Sequence, residues 1–106
     1  MNDRTMLMTE SILLSHLPNV LTKRGTVVAG SNLNTVTQPG CYLIANSDIE
    51  NLPPGMPKYA TLAVLPGYYL MHMIVPTQSP CLFIRLRTNE EKDTWTKWIK
   101  FSGEYL

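Results

Sequence analysis

Residues 59–87 read YATLAVLPGYYLMHMIVPTQSPCLFIRLR, and this stretch decides the fold. Three short apolar runs are punctuated by Pro66-Gly67 and by a Pro/Ser-rich turn at 76–80. Runs of this length, bounded by turn residues, are the signature of β-strands. In the middle run, Tyr69, Met71, Met73 and Val75 fall on one face and Leu70, His72 and Ile74 on the other. In the third, the period of two sets Leu82, Ile84 and Leu86 inward and Arg85 and Arg87 outward, because charge normally faces water. The expected core therefore includes Leu62, Val64, Leu70, Ile74 and the Leu82/Ile84/Leu86 set.

The same punctuation extends in both directions. Residues 26–29 form a candidate strand before the turn-like Gly30-Ser31-Asn32, and residues 41–45 another after Pro39-Gly40. Residues 46–58 hold Asn51-Leu52-Pro53-Pro54-Gly55 and Pro57. Proline cannot donate to a ladder, so this segment reads as an irregular loop. The polar residues 88–93 read as a hairpin loop into residues 94–101. There Trp95, Trp98 and Ile99 suit a helix face, while Trp95, Lys97, Ile99 and Phe101 suit a strand face; the Thr and aromatic content favours a strand.

Residues 1–24 differ. Met6, Leu13, Leu17 and Val20 recur as on one face of a helix, and Pro18 ends or kinks it near Leu17. One short amphipathic helix is expected here, and its stripe needs a partner because so short a helix is marginal alone. The division is thus an N-terminal helical attachment or trimerisation segment, 1–24, and a β-rich domain, 25–106.

A chain of 106 residues fits one domain with a modest core. Charged residues make up 16%, against ~25% in typical domains. Either part of the surface meets other protein, or Asn and Thr supply the solubility. The formal net charge is +1, without a block of like charge. Nothing here would neutralise a row of phosphates or hold an anionic bilayer, so nucleic-acid and membrane partners are not expected. No signal peptide is recognisable, and no apolar run approaches the ~18 residues of a membrane span.

Chemistry-bearing motifs are scarce. The sequence has no nucleophile elbow, no phosphate-cradling glycine loop and no HExxH. Glu90, Glu91 and Asp93 share a polar loop, where carboxylates face water. His16, Cys41, His72 and Cys81 match no structural zinc spacing, which brings ligands together in close pairs. No enzyme activity, metal or cofactor is expected. The cysteines read as buried thiols in a protein made in a cytoplasm, with a disulfide open in an oxidising compartment. Among the aromatics, Tyr68, Tyr69, Trp95 and Trp98 are the candidate glycan-binding residues, since their flat amphipathic rings can stack on sugars. The competing reading is that they anchor a small core or an oligomer interface.

From Asn32 onward an ordered set of pieces accumulates: Asn32-Leu33-Asn34, Pro39-Gly40-Cys41-Tyr42, Asn51-Leu52-Pro53-Pro54-Gly55, Leu62-Ala63-Val64, Phe83-Ile84-Arg85 and Trp95-Thr96-Lys97-Trp98. This order, over roughly residues 25–101, resembles the knob-like domains of phage tail fibres and R-type pyocin fibres. The strand Tyr69-Leu70-Met71-His72-Met73 departs from the Gln and β-branched pattern usual there. The resemblance implies a mainly β fold: a small antiparallel β-sandwich or barrel-like knob behind the short helix. It implies a non-enzymatic virion fibre component that takes part in host-surface attachment. The alternative is a structural head-fibre, decoration or adaptor protein that uses the knob to trimerise. The implied partners are sister copies in a homotrimer, other virion proteins and bacterial cell-surface polysaccharide. Met6, Leu13, Leu17 and Val20 would make the trimer or attachment contacts. Physically, Asn32 and Asn34 can bond nearby backbone in a turn, Gly40 lets the chain bend before Tyr42, and Arg85 can stack on an indole.

Overall fold

The computed structural model describes residues 22–106. The expected helix and its stripe of Met6, Leu13, Leu17 and Val20 lie outside the described residues, as does His16. The described chain is mainly β, built on one open mixed sheet. Its strands are β1 (Lys23–Thr26), β2 (Gly40–Ile44), β3 (Ala60–Leu65), β4 (Leu70–Pro76), β5 (Cys81–Asn89), β6 (Thr94–Trp95) and β7 (Ile99–Ser102). A single 3-10 turn, Leu33–Thr35, interrupts the first long connection.

Strands β2 to β5 form an antiparallel meander in sequence order, with short turns joining β3 to β4 and β4 to β5 and a long connection joining β2 to β3. β1 adds to β2 in parallel, and β6 and β7 both pair with β5. The two last strands occupy successive lengths of β5: Arg87 and Asn89 face β6, and Cys81 to Ile84 face β7. They are one interrupted edge strand. The sheet does not close on itself, and among the described residues no second sheet packs on it, so the expected sandwich or barrel gives way to an open sheet covered on one face by loops. The parallel edge strand also replaces the all-antiparallel expectation.

The core lies between that covered face and two long connections, 27–39 and 45–59. The strands contribute Ile44, Ala60, Leu62, Val64, Ile74 and Phe83, and the connections contribute Val27, Leu33 and Ile49. The connections can cross over the sheet because they satisfy each other's backbone. Leu33 N–H donates to Glu50 O (3.0 Å), Glu50 N–H to Ser31 O (2.9 Å) and Gly30 N–H to Asp48 O (2.6 Å). Buried backbone groups need such partners, and here a short parallel bridge between loops supplies them. Leu62, Val64 and Ile74 are buried as the alternation predicts, and residues 46–58 contain no strand.

Two expectations change. The first strand is Lys23–Thr26 rather than 26–29: after Thr26 the chain leaves the sheet, and Val27 drops into the core at 5% exposure. The alternation of β5 is correct in period but inverted in sense. Phe83 and Arg85 point into the core face, while Leu82, Ile84 and Leu86 share the opposite face, only partly covered. Register decides this. Ile74 pairs with Phe83 and His72 with Arg85, so the inward side of β4 fixes the inward side of β5.

Gly40 is required where β2 begins. Its φ is +149°, and a Cβ there would lie 2.7 Å from the Arg24 side chain and 2.8 Å from Thr22 O. The glycine lets β1 lie against the entry to β2.

Candidate functional site

Arg85 is almost completely buried, and its surroundings form the most distinctive site in the molecule. It sits on the inward face of β5 beside His72 of β4, which is itself fully buried. The His72 ring is held at both nitrogens. Its Nε2 is 2.7 Å from Val36 O, so that nitrogen carries the hydrogen and donates it to the carbonyl. The bare Nδ1 then accepts from Arg85 Nε (3.3 Å) and Nη2 (3.2 Å). Burial is the main force lowering the His72 pKa to about 4, outweighing the opposing Val36 bond, and the charges of Arg85 and Arg87 push the same way. The imidazole is therefore neutral at physiological pH. Burial also lowers Arg85 to about 10, with Asp93 opposing, and it stays charged in the same range.

Two indoles roof this pair. The Arg85 guanidinium carbon lies 4.1 Å from the Trp95 ring centroid and 4.8 Å from that of Trp98. Trp95 also stacks on His72 at 4.4 Å. A desolvated cation against two aromatic faces gains ~2 kcal/mol or more, which helps explain how the charge is buried with no carboxylate ion-paired to it among the described residues. In an unbroken strand, residues three apart would face opposite sides of the sheet. A register shift in the β5–β6 pairing and the break at residues 96–98 bring both tryptophans to the same side. Thr96 bridges the break: its N–H donates to Leu86 O (2.8 Å), and its hydroxyl accepts from Leu86 N–H (3.0 Å). The ambiguous periodicity of residues 94–101 has its cause here.

The outer side of the roof is an open groove of about 510 Å³, bounded by Asn34, Asn51, Asp93, Trp95, Lys97 and Trp98 among others. Its polar groups are fixed by one another. Trp95 Nε1 donates to Asp93 Oδ1 and Trp98 Nε1 to Asn51 O, both at 2.9 Å. Asn34 Nδ2 reaches the other Asp93 oxygen at 3.5 Å. Asn32 Oδ1 accepts from Asn34 N–H (2.9 Å) and Asn51 Nδ2 (2.7 Å), tying both groove-lining asparagines to one turn. Asn51 and Asp93 have left-handed backbones, with φ of 68° and 49°. Non-glycine residues adopt this region uncommonly, and two of them on one groove mark a shape held by its surroundings. Asn34 Oδ1 is the one buried side-chain oxygen or nitrogen among the described residues without a hydrogen-bond partner.

The structure thus brings together Trp95 and Trp98 of the four expected aromatics. Tyr68 and Tyr69 lie elsewhere, at the turn between β3 and β4. Tyr68 is 96% exposed and packs edge-on against Tyr69 at 5.1 Å. Sequence reading placed Arg85 outward by alternation, yet the predicted stacking of Arg85 on indole is present. It missed Asn51, Asp93 and His72 as parts of this site. The Asn-rich turn at 32–34 was read as local, and its reach across to Asn51 depends on the fold.

Among the described residues no cluster of His, Cys, Asp or Glu could hold a metal. Cys41 and Cys81 are not disulfide-bonded. They lie on β2 and β5, three strand spacings or ~14 Å apart, too far for a disulfide. No helix among the described residues is long and apolar enough to cross a membrane. No family model, curated protein or solved structure matches the chain.

Proposed function

We propose that the chain is a non-enzymatic binding module whose Trp95/Trp98 groove receives a saccharide. The observation that carries this reading is the combination of two fixed indoles with a buried acceptor, Asn34 Oδ1, that has no partner among the described residues. A buried acceptor normally has a hydrogen-bond partner; Asn34 lines the groove, and a small turn of its side chain would present Oδ1 to a hydroxyl donor over the indole roof. Sugars offer hydroxyl donors beside apolar ring faces, the mixture such a groove complements. Among the described residues Asp93 is the only carboxylate lining the groove, and its oxygens are engaged by Trp95 and Asn34. Glycoside hydrolysis generally uses a pair of carboxylates flanking the bond, so the reading is attachment without cleavage.

The resemblance to phage and pyocin fibre knobs, carried by the sequence pieces alone, supplies the setting. In that reading the chain is a virion fibre component, assembled as a homotrimer alongside other virion proteins and contacting bacterial cell-surface polysaccharide. A structural head-fibre or decoration role is the alternative, and it needs no occupant in the groove.

The test is retention on an array of bacterial surface polysaccharides. The expected result is binding that Trp98→Ala and Asn34→Leu each weaken about tenfold or more, equivalent to about 1.4 kcal/mol. Binding unaffected by both substitutions, or no binding at all, overturns the groove assignment. Purified protein incubated with the bound polysaccharide should release no reducing ends, and sustained release would overturn the non-enzymatic part.

A further inference from the structure

Among the described residues nothing covers the sheet's second face, and its composition is unlike that of a face turned to water. The pairing registers place Leu43 of β2, Met73 and Val75 of β4, Ile84 of β5, and Ile99 and Phe101 of β7 on this side. Ala63, Leu65, Met71, Leu82 and Leu86 fill the positions between, with Thr61 and Cys41, and β1 adds Thr26 and one charge, Lys23 opposite Cys41, at the edge. Leu43, Ile99 and Phe101 are each more than half exposed, and Val75 is 43% exposed. An antiparallel sheet with one solvated face ordinarily alternates apolar-in with polar-out. Here both faces are apolar, and the loops cover only one.

We infer that this face is an interface between copies of this chain. Three features favour a second copy over a partner of different chemistry. From β2 to β7 the face carries no charge and few side-chain hydrogen-bonding groups, so a charged or strongly polar partner finds little to pair with beyond Lys23 at the β1 edge, while an identical face brings like charge only at that edge. Its flat, strand-built shape suits sheet-on-sheet packing at ~10 Å, which needs another sheet with an apolar face. Its size is also sufficient. Five strands at ~4.8 Å spacing and about five residues at ~3.4 Å give a footprint near 400 Å². Two such footprints hide about 800 Å² in projection, and more as accessible surface because the side chains protrude, reaching the ~1,000 Å² at which specific interfaces begin. The inference does not depend on the homotrimer proposed above or on what the groove binds.

The experiment is multi-angle light scattering of the full chain at tens of micromolar, compared with Val75→Lys and Phe101→Lys. The control is Val28→Lys, whose 71%-exposed side chain belongs to the connection over the other face. The expected result is a mass of two or three protomers of 12.0 kDa, falling to one protomer in both face variants and unchanged in the control. The indole environment, read by tryptophan emission, reports that the variants remain folded and that the groove survives. A monomeric full chain overturns the inference, as does an oligomer that keeps its mass in folded face variants. A monomer whose stability falls in the face variants only when residues 1–21 are present also overturns it, and names the chain's own amino-terminal segment as the cover. Saccharide binding retained by a monomeric face variant separates this interface from the groove reading.

Discussion

At the scale of single residues, the centre of the molecule is a neutral imidazole in contact with a charged guanidinium. His72 is restricted to one tautomer because Val36 O accepts from one nitrogen and Arg85 donates to the other. Folding lowers its pKa from 6.5 to about 4. The unfolded chain therefore binds a proton below about pH 6.5 that the folded chain refuses until about pH 4. Stability linked to His72 is complete above 6.5 and declines as the pH falls through that window. The loss approaches about 3 kcal/mol near pH 4. Denaturant titrations at a series of pH values should show this decline in the native protein. In His72→Gln the amide can still donate to Val36 and accept from Arg85 but takes no proton, so that component of the decline should vanish. Equal pH dependence in the two proteins would mean another group is responsible. None of this was legible from the sequence. A histidine in an apolar strand points to burial, but its partners lie 36 and 13 residues away and are set by the sheet register.

Strands were legible where local pattern and tertiary need agree. β2, β3 and β4 appear within a residue or two of their expected limits because Pro, Gly and Asn/Ser clusters punctuate the chain between them. The sense of β5 was not legible, because period two identifies alternate positions without saying which set faces the core. The rule that charge points outward chose wrongly, since Arg85 is compensated by two indoles and an imidazole. Substitution energetics should follow the observed sense. Leu62 is fully buried, and Leu62→Ala should cost ~2–5 kcal/mol whatever the protein concentration. Ile84 was expected in the core but lies on the open face, so Ile84→Ala should cost less in dilute protein and more as copies associate. Urea unfolding across a range of concentrations distinguishes the two. Equal, concentration-independent losses would contradict the placement of Ile84. The interrupted edge strand repeats the lesson: the three-residue spacing of Trp95 and Trp98 looked half-helical because the break between β6 and β7 resets the alternation.

For the molecule as a whole, the two faces of one sheet divide the work. One face, roofed by stitched loops, holds the core and shapes a groove of fixed indoles and asparagine side chains. The other is apolar and, among the described residues, open, in keeping with a chain that has only 16% charged residues. The mainly β class was readable from punctuation alone. The open sheet was not, because a sandwich and a loop-covered sheet share the same strand pattern and differ only in what lies on the second face. The central claim is that the groove over Arg85 binds a saccharide, and its most direct test uses the fact that the chain has just two tryptophans. Their two indole N–H signals can be followed by nuclear magnetic resonance while fragments of bacterial surface polysaccharide are added. The account predicts that one class of fragment shifts both signals together in a saturable way, that Asn34→Leu abolishes the shift, and that Tyr68→Ser leaves it intact. Saturable saccharide binding that moves neither indole, or no fragment that moves them at all, would contradict it.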